Sequence, residues 1–128
     1  MTATGSWTVH YDWGLTGNFH RTHLYFNFDG TFGYLAGGND GTWTQVEGLI
    51  LWKFKRLPDT EYNTVYSGNV NGEVMSGIML SFNGEKGRWY AVKKGAKVFA
   101  LKEKVNLPYL VDKESKPKLD PVGKKIES

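Results

Sequence analysis

A chain of 128 residues can bury one hydrophobic core but not two, so a single domain is expected. Five Trp, seven Tyr and seven Phe beside sixteen Gly point to short strands joined by tight turns. The absence of Cys excludes disulfides, thiolate metal sites and a cysteine nucleophile. The net charge of +3 sits mostly in residues 102–128, where seven Lys face five acids, so the body is nearly neutral and no nucleic-acid partner is expected.

In chain order, alternating apolar and polar residues mark strands near 6–13, 21–28, 31–36, 42–47, 49–56, 62–70, 73–82 and 87–93. Trp7, Val9, Tyr11 and Trp13 share one face of the first, and Thr8, His10 and Asp12 the other. Leu24, Phe26 and Phe28 line a face of the second, and Ile50, Trp52 and Phe54 a face of the fifth. In the seventh both faces carry apolar residues, Val74, Ile78, Leu80 and Phe82 against Met75 and Met79, so inside and outside stay open there. Asp29-Gly30, Asn71-Gly72 and Asn83-Gly84 suit type I′ hairpin turns. Gly37 to Gly41 and Leu57-Pro58-Asp59-Thr60 read as slightly longer connections.

Strands joined by tight turns form a meander, and about eight of them can close into an antiparallel up-and-down barrel with no free edge. The expected fold class is therefore all-β, a closed barrel over residues 1–101. A Greek-key sandwich is the alternative, although the body offers no long crossover. Gly33, Gly68 and Gly77 fall inside strands, where bends or close backbone approaches call for glycine. Ala96 to Lys104 suits a short helix or a strand. Residues 102–128, rich in Lys with Pro108, Pro117 and Pro121, read as an extended, partly disordered tail, with Leu107, Tyr109, Leu110 and Val111 available to pin it.

Gly5-Ser6-Trp7 resembles the G-x-W that opens lipocalin barrels, and avidins open similarly. Leu51-Trp52-Lys53-Phe54 followed by Thr64-Val65-Tyr66-Ser67-Gly68-Asn69-Val70 resembles the avidin pattern of a Trp-bearing strand before a W-S-G strand, with Tyr66 at the second Trp. With Met75-Ser76-Gly77-Ile78-Met79 and Gly87-Arg88-Trp89, the likeness to small lipocalin-like, calycin-type barrels spans residues 5–93. The resemblance implies a ligand cavity open at one end, no catalysis in most members, and Trp52 and Tyr66 as cavity walls. The sequence has no T-D-Y signature and no counterpart of the polar residues that hold biotin, so biotin is not implied.

Trp7, Trp13, Trp52, Phe54, Tyr66 and Trp89 admit two readings: packing of a narrow barrel, or aromatic walls of a pocket. The expected function is a non-enzymatic protein holding a small apolar or aromatic ligand in the barrel. The alternatives are an interaction or homo-oligomer module using the outer face, with Met75, Met79 and residues 98–111, and an isomerase- or cyclase-type enzyme at the barrel mouth. For the last, His10 and Asp12 share a strand face, as a base oriented by a carboxylate requires, but ordinary neighbours do the same. His20 and His23 are three apart and fall on opposite strand faces, so no metal is expected, and no cofactor. Lys53, Lys55 and Arg56 with Lys93-Lys94-Gly95-Ala96-Lys97 read as solvated charge. Without a leader or an apolar run of roughly 20 residues, the chain is expected to be cytoplasmic and to have no membrane partner.

Overall fold

Period-two alternation gives each strand one face that must leave water, and a closed meander lets every strand bury that face in a common interior. The computed structural model describes residues 2–55, 64–81, 83–96 and 118–126. Its strands are β1 (Gly5–Trp13), β2 (His20–Phe26), β3 (Thr31–Gly33), β4 (Gly41–Val46), β5 (Leu49–Phe54), β6 (Val65–Asn71), β7 (Val74–Leu80) and β8 (Lys86–Lys93). Each pairs antiparallel with the next, and β8 returns to β1 from Trp7↔Lys93 to Trp13↔Gly87, closing an eight-stranded up-and-down barrel. No strand crosses over, so the sandwich alternative falls. Apart from Ala96, the helix or strand expected at 96–104 lies outside the described residues, as do the apolar pins at 107–111 and the 57–60 turn.

The hairpin turns differ from the expected type. Type I′ needs positive φ at both central residues, yet among the described residues only Leu15 and Glu47 adopt it without being glycine. At the β6–β7 corner Asn71 stays in the strand opposite Val74, and the loop is Gly72-Glu73, with φ 65° at Gly72 alone. At Asp29-Gly30 the amide of Gly30 donates to Asn27 O, and at Asn83-Gly84 the amide of Gly84 donates to Ser81 O. In both, the glycine alone turns left-handed. The side chains explain why: Asp29 accepts from the Thr31 amide and hydroxyl, and Asn83 Oδ1 from the Glu85 amide.

The interior is one cluster containing Trp7, Tyr11, Trp13, Phe26, Trp52, Phe54, Tyr66 and Trp89 among others. On β7 Met75 and Met79 are buried in this cluster, while Ile78 and Leu80 face out. An outer docking face built on the two methionines is thereby corrected. A methionine side chain is apolar enough for either side, and only the register with β6 and β8 decides. Gly68 and Gly77 face each other across β6 and β7, where a Cβ on Gly77 would lie 1.9 Å from the Ser67 carbonyl oxygen. The two backbones approach too closely there for any other residue.

The end of the barrel where β1 begins is shut by the N-terminal segment. Buried Ala3 accepts from Trp7 Nε1 at 2.7 Å and donates its amide to Gln45 Oε1. Over the outer wall of β1 and β8 the 14–19 loop forms a second, smaller cluster. There Phe19 meets Tyr90 edge-on, His10 stacks on Tyr90 at 4.3 Å, and Arg88 lies over Phe19. No helix among the described residues is long and apolar enough to cross a membrane.

Candidate functional site at the barrel mouth

At the opposite end, β1 finishes with Tyr11 and Trp13 pointing inward, and Thr64, just before β6, and Tyr66, near its start, are buried there too. All four are hydrogen-bond donors on the inner wall, and a buried donor needs an acceptor. The acceptors come from the C-terminal segment. Tyr11 Oη donates to Leu119 O at 3.3 Å, Trp13 Nε1 to Asp120 O at 2.9 Å, Tyr66 Oη to Pro121 O at 2.6 Å and Thr64 Oγ1 to Val122 O. Four successive main-chain carbonyls thus meet four wall donors, and Leu119 and Val122 pack on the core beside them.

This segment is a hairpin that holds its own shape. The Gly123 amide donates to Asp120 O, the Asp120 amide to Lys124 O, and the Ile126 amide to Lys118 O. The Asp120 carboxylate accepts the amides of Val122 and Lys124. Gly123, at φ 84°, lies against Trp13 and Ser81, with room for a Cβ only at 3.3 Å from Trp13 Cζ2. Residues 118–126 therefore return to the barrel, while the sequence reading placed them in an extended tail. The signal was present in Asp120-Pro121-Val122-Gly123, with Asp, Pro and Gly at the positions a type I turn favours. Nothing local could show where that turn docks.

The six aromatic candidates separate by depth. Trp13 meets Tyr66 edge-on at 6.5 Å, Tyr66 stacks on Trp52 at 4.9 Å, and Trp52 meets Trp89 at 4.6 Å. Phe54 flanks Tyr66 at 5.8 Å. These five form one run of rings from the mouth into the barrel. Trp7 lies at the shut end, tied to Ala3. Four of the five indole N–H groups find carbonyls, those of Trp7, Trp13, Trp43 and Trp89. Trp52, fully buried, has none among the described residues, and an unmet buried donor costs about 1–3 kcal/mol.

Between the 14–20 stretch and the hairpin lies a cleft of about 530 Å³, lined by Tyr11, Trp13, Thr16, Asn18, His20 and Leu119, with Lys118 and Lys125 on its hairpin side. Tyr11 and His20 stand in no motif, and Thr64 is only the first residue of the Thr64 to Val70 pattern, so nothing in the sequence marks the three as parts of this end. Burial, and then the nearby Asp120 carboxylate, push the Tyr11 phenol up to about 12. Burial likewise raises Tyr66 well above the ordinary phenol range. Both phenols stay protonated and remain donors across physiological pH.

His10 and Asp12 share the outer face of β1, on the far side of the wall from this cleft. Asp12 is fully buried beneath the 14–19 loop, and its oxygens accept from the Thr16 amide and hydroxyl, the Gly17 amide and Arg88 Nε. Its lone pairs are committed to holding that loop. His20 turns toward the cleft, its ring 6.1 Å from Tyr11, whereas His23 meets Thr8 Oγ1 on the outside at 3.2 Å. No group of three or more His, Asp or Glu among the described residues could hold a metal ion. Comparisons of the chain with protein-family models, curated proteins and solved structures find no match.

Proposed function

We propose that the protein is a non-enzymatic binding barrel whose mouth holds a small ligand with an apolar or aromatic body and at least one acceptor oxygen. The observation that carries this reading is the row of donors inside the barrel, Tyr11, Trp13, Thr64 and Tyr66, with the unmet indole of Trp52 behind them. Packing alone would be served by Phe and Leu, which bring no buried polar atoms to satisfy. Flat rings beside a few aimed polar groups are what small-molecule pockets present. The likeness of Gly5-Ser6-Trp7 and of the Trp52 and Tyr66 strands to lipocalin-like and avidin-like barrels supports the same reading.

Native mass spectrometry of the freshly purified chain, followed by solvent extraction, tests it. The expected result is a reproducible bound mass of a few hundred daltons, whose rebinding weakens at least about tenfold in Trp52→Phe, equivalent to about 1.4 kcal/mol for one acceptor bond. Unchanged rebinding by both Trp52→Phe and Trp13→Phe would sink the assignment.

A second reading rests on the outer wall. Leu49, Leu51, Ile78 and Leu80 are 62%, 40%, 70% and 56% exposed, and Leu51 and Ile78 flank Ser67 in one row across β5, β6 and β7. An apolar patch of this kind suits a partner or a second copy. Light scattering that shows a concentration-dependent dimer abolished by Ile78→Lys would favour it.

A further inference from the structure

The hairpin at the mouth is held by an unusual set of contacts. Among the described residues it adds no strand to the barrel, and its bridge, Leu119↔Lys125, is internal. Its grip on the wall includes main-chain carbonyls 119–122 received by side-chain donors, the half-buried Leu119 and Val122, and buried Gly123 against Trp13 and Ser81. Its fold is its own, because the turn bonds and both Asp120 contacts close within residues 118–126. A segment that carries its shape with it and meets its receptor through main-chain carbonyls, two apolar side chains and a buried glycine has the anatomy of a preorganised peptide ligand.

The length of chain between the body and the hairpin is enough for exchange. β8 ends at Lys93, beside Trp7 and so at the shut end of the barrel, and residues 97–117 separate the last described residue of the body from the hairpin. Twenty-one residues reach about 70 Å when extended, while the nine-residue β1 spans only about 30 Å. The hairpin can reach its own mouth with length to spare, and equally that of a neighbouring molecule.

We infer that the barrel mouth is a peptide-binding site reading four successive main-chain carbonyls, that residues 118–126 are its tethered occupant, and that the same hairpin from a second copy of the chain can replace it. This rests on the mouth being a binding site and adds the occupant against which a small ligand competes.

The test uses a fluorescent peptide of residues 118–126 and the full-length chain in three forms: wild type, Gly123→Val and Asp120→Ala. Valine at 123 meets both a left-handed φ and Trp13, and alanine at 120 removes two turn bonds, so each variant loosens its own hairpin without touching a strand. In the wild type the tethered copy competes at an effective concentration on the order of millimolar, so the free peptide binds weakly. Both variants bind it at least about tenfold more tightly, and a peptide carrying Gly123→Val, or a scrambled one, does not bind. Equal peptide affinity in all three forms, or equal binding of the scrambled peptide, overturns the inference. So do variants whose Trp13 indole N–H stays protected from exchange, since the hairpin would then not depend on the turn that shapes it. Tight peptide binding by the variants, with no small molecule extracted from any preparation, upholds the inference while removing the small-ligand reading. The reverse pattern removes the inference alone.

Discussion

Hydroxyls and indoles placed inside an aromatic barrel define the chemistry of this protein at the level of single residues. Tyr66 packs on Trp52 through its ring and reaches Pro121 O through its hydroxyl. Tyr66→Phe keeps the ring and loses the bond, so the denaturant midpoint should fall by an amount equivalent to about 0.5–1.5 kcal/mol with the slope unchanged. A raised phenol pKa means that the folded state holds its proton after the unfolded state has lost it. The stability from Tyr11 is therefore complete below pH 10 and disappears as pH rises through about 12. Tyrosine absorbance followed against pH should show these phenols ionising together with unfolding, and Tyr11→Phe should flatten the loss between those limits. Asp12 shows where sequence reading ends at this scale. Alternation put it on the face opposite Trp7, Tyr11 and Trp13 without saying whether that face was inside or outside; it is the outer one, and the 14–19 loop folding over it makes Asp12 a buried anchor. Asp12→Ala strands two amides and Arg88, and should destabilise by about 2–4 kcal/mol in chemical denaturation.

At the level of elements, the strands were legible because their period is short and their neighbours are sequential. The observed β1, β2, β5 and β8 begin and end within two residues of the expected spans, and the glycines read as close approaches, Gly33, Gly68 and Gly77, each face backbone too near for a Cβ. Gly77→Ala should cost about 3 kcal/mol or more, because the added methyl meets a neighbouring carbonyl and not a side chain that can turn away. The turns at Asp29-Gly30 and Asn83-Gly84 were legible in place and misread in type, since Asp29 and Asn83 bond locally and leave the left-handed position to glycine, and the β6–β7 loop lies one residue later than expected. The β4–β5 corner has the opposite arrangement: Glu47 sits at φ 55°, a conformation that costs a non-glycine residue about 1 kcal/mol. Glu47→Gly should accordingly raise the melting temperature by about 3 °C, read by calorimetry.

For the whole molecule, the main departure from the expected fold is that residues 118–126 fold into the open end of the barrel. The contacts that do this join residues 107, 108, 55 and 58 positions apart, and no local periodicity reports pairings at that distance. Trp13, Trp52, Phe54, Tyr66 and Trp89 stand out in the sequence because they are large and lie in strands, whereas their order by depth, and the position of Trp7 at the other end, needed closure of the barrel. The mouth takes its form from the hairpin handing its carbonyls to the wall. Hydrogen exchange of the indole N–H groups in the full-length chain tests this most directly. The account predicts that Trp13 is protected as strongly as Trp7 and Trp89, and that Gly123→Val exposes Trp13 while leaving those two unchanged. A Trp13 indole that exchanges freely in the wild-type chain, with Trp7 and Trp89 protected, would contradict it.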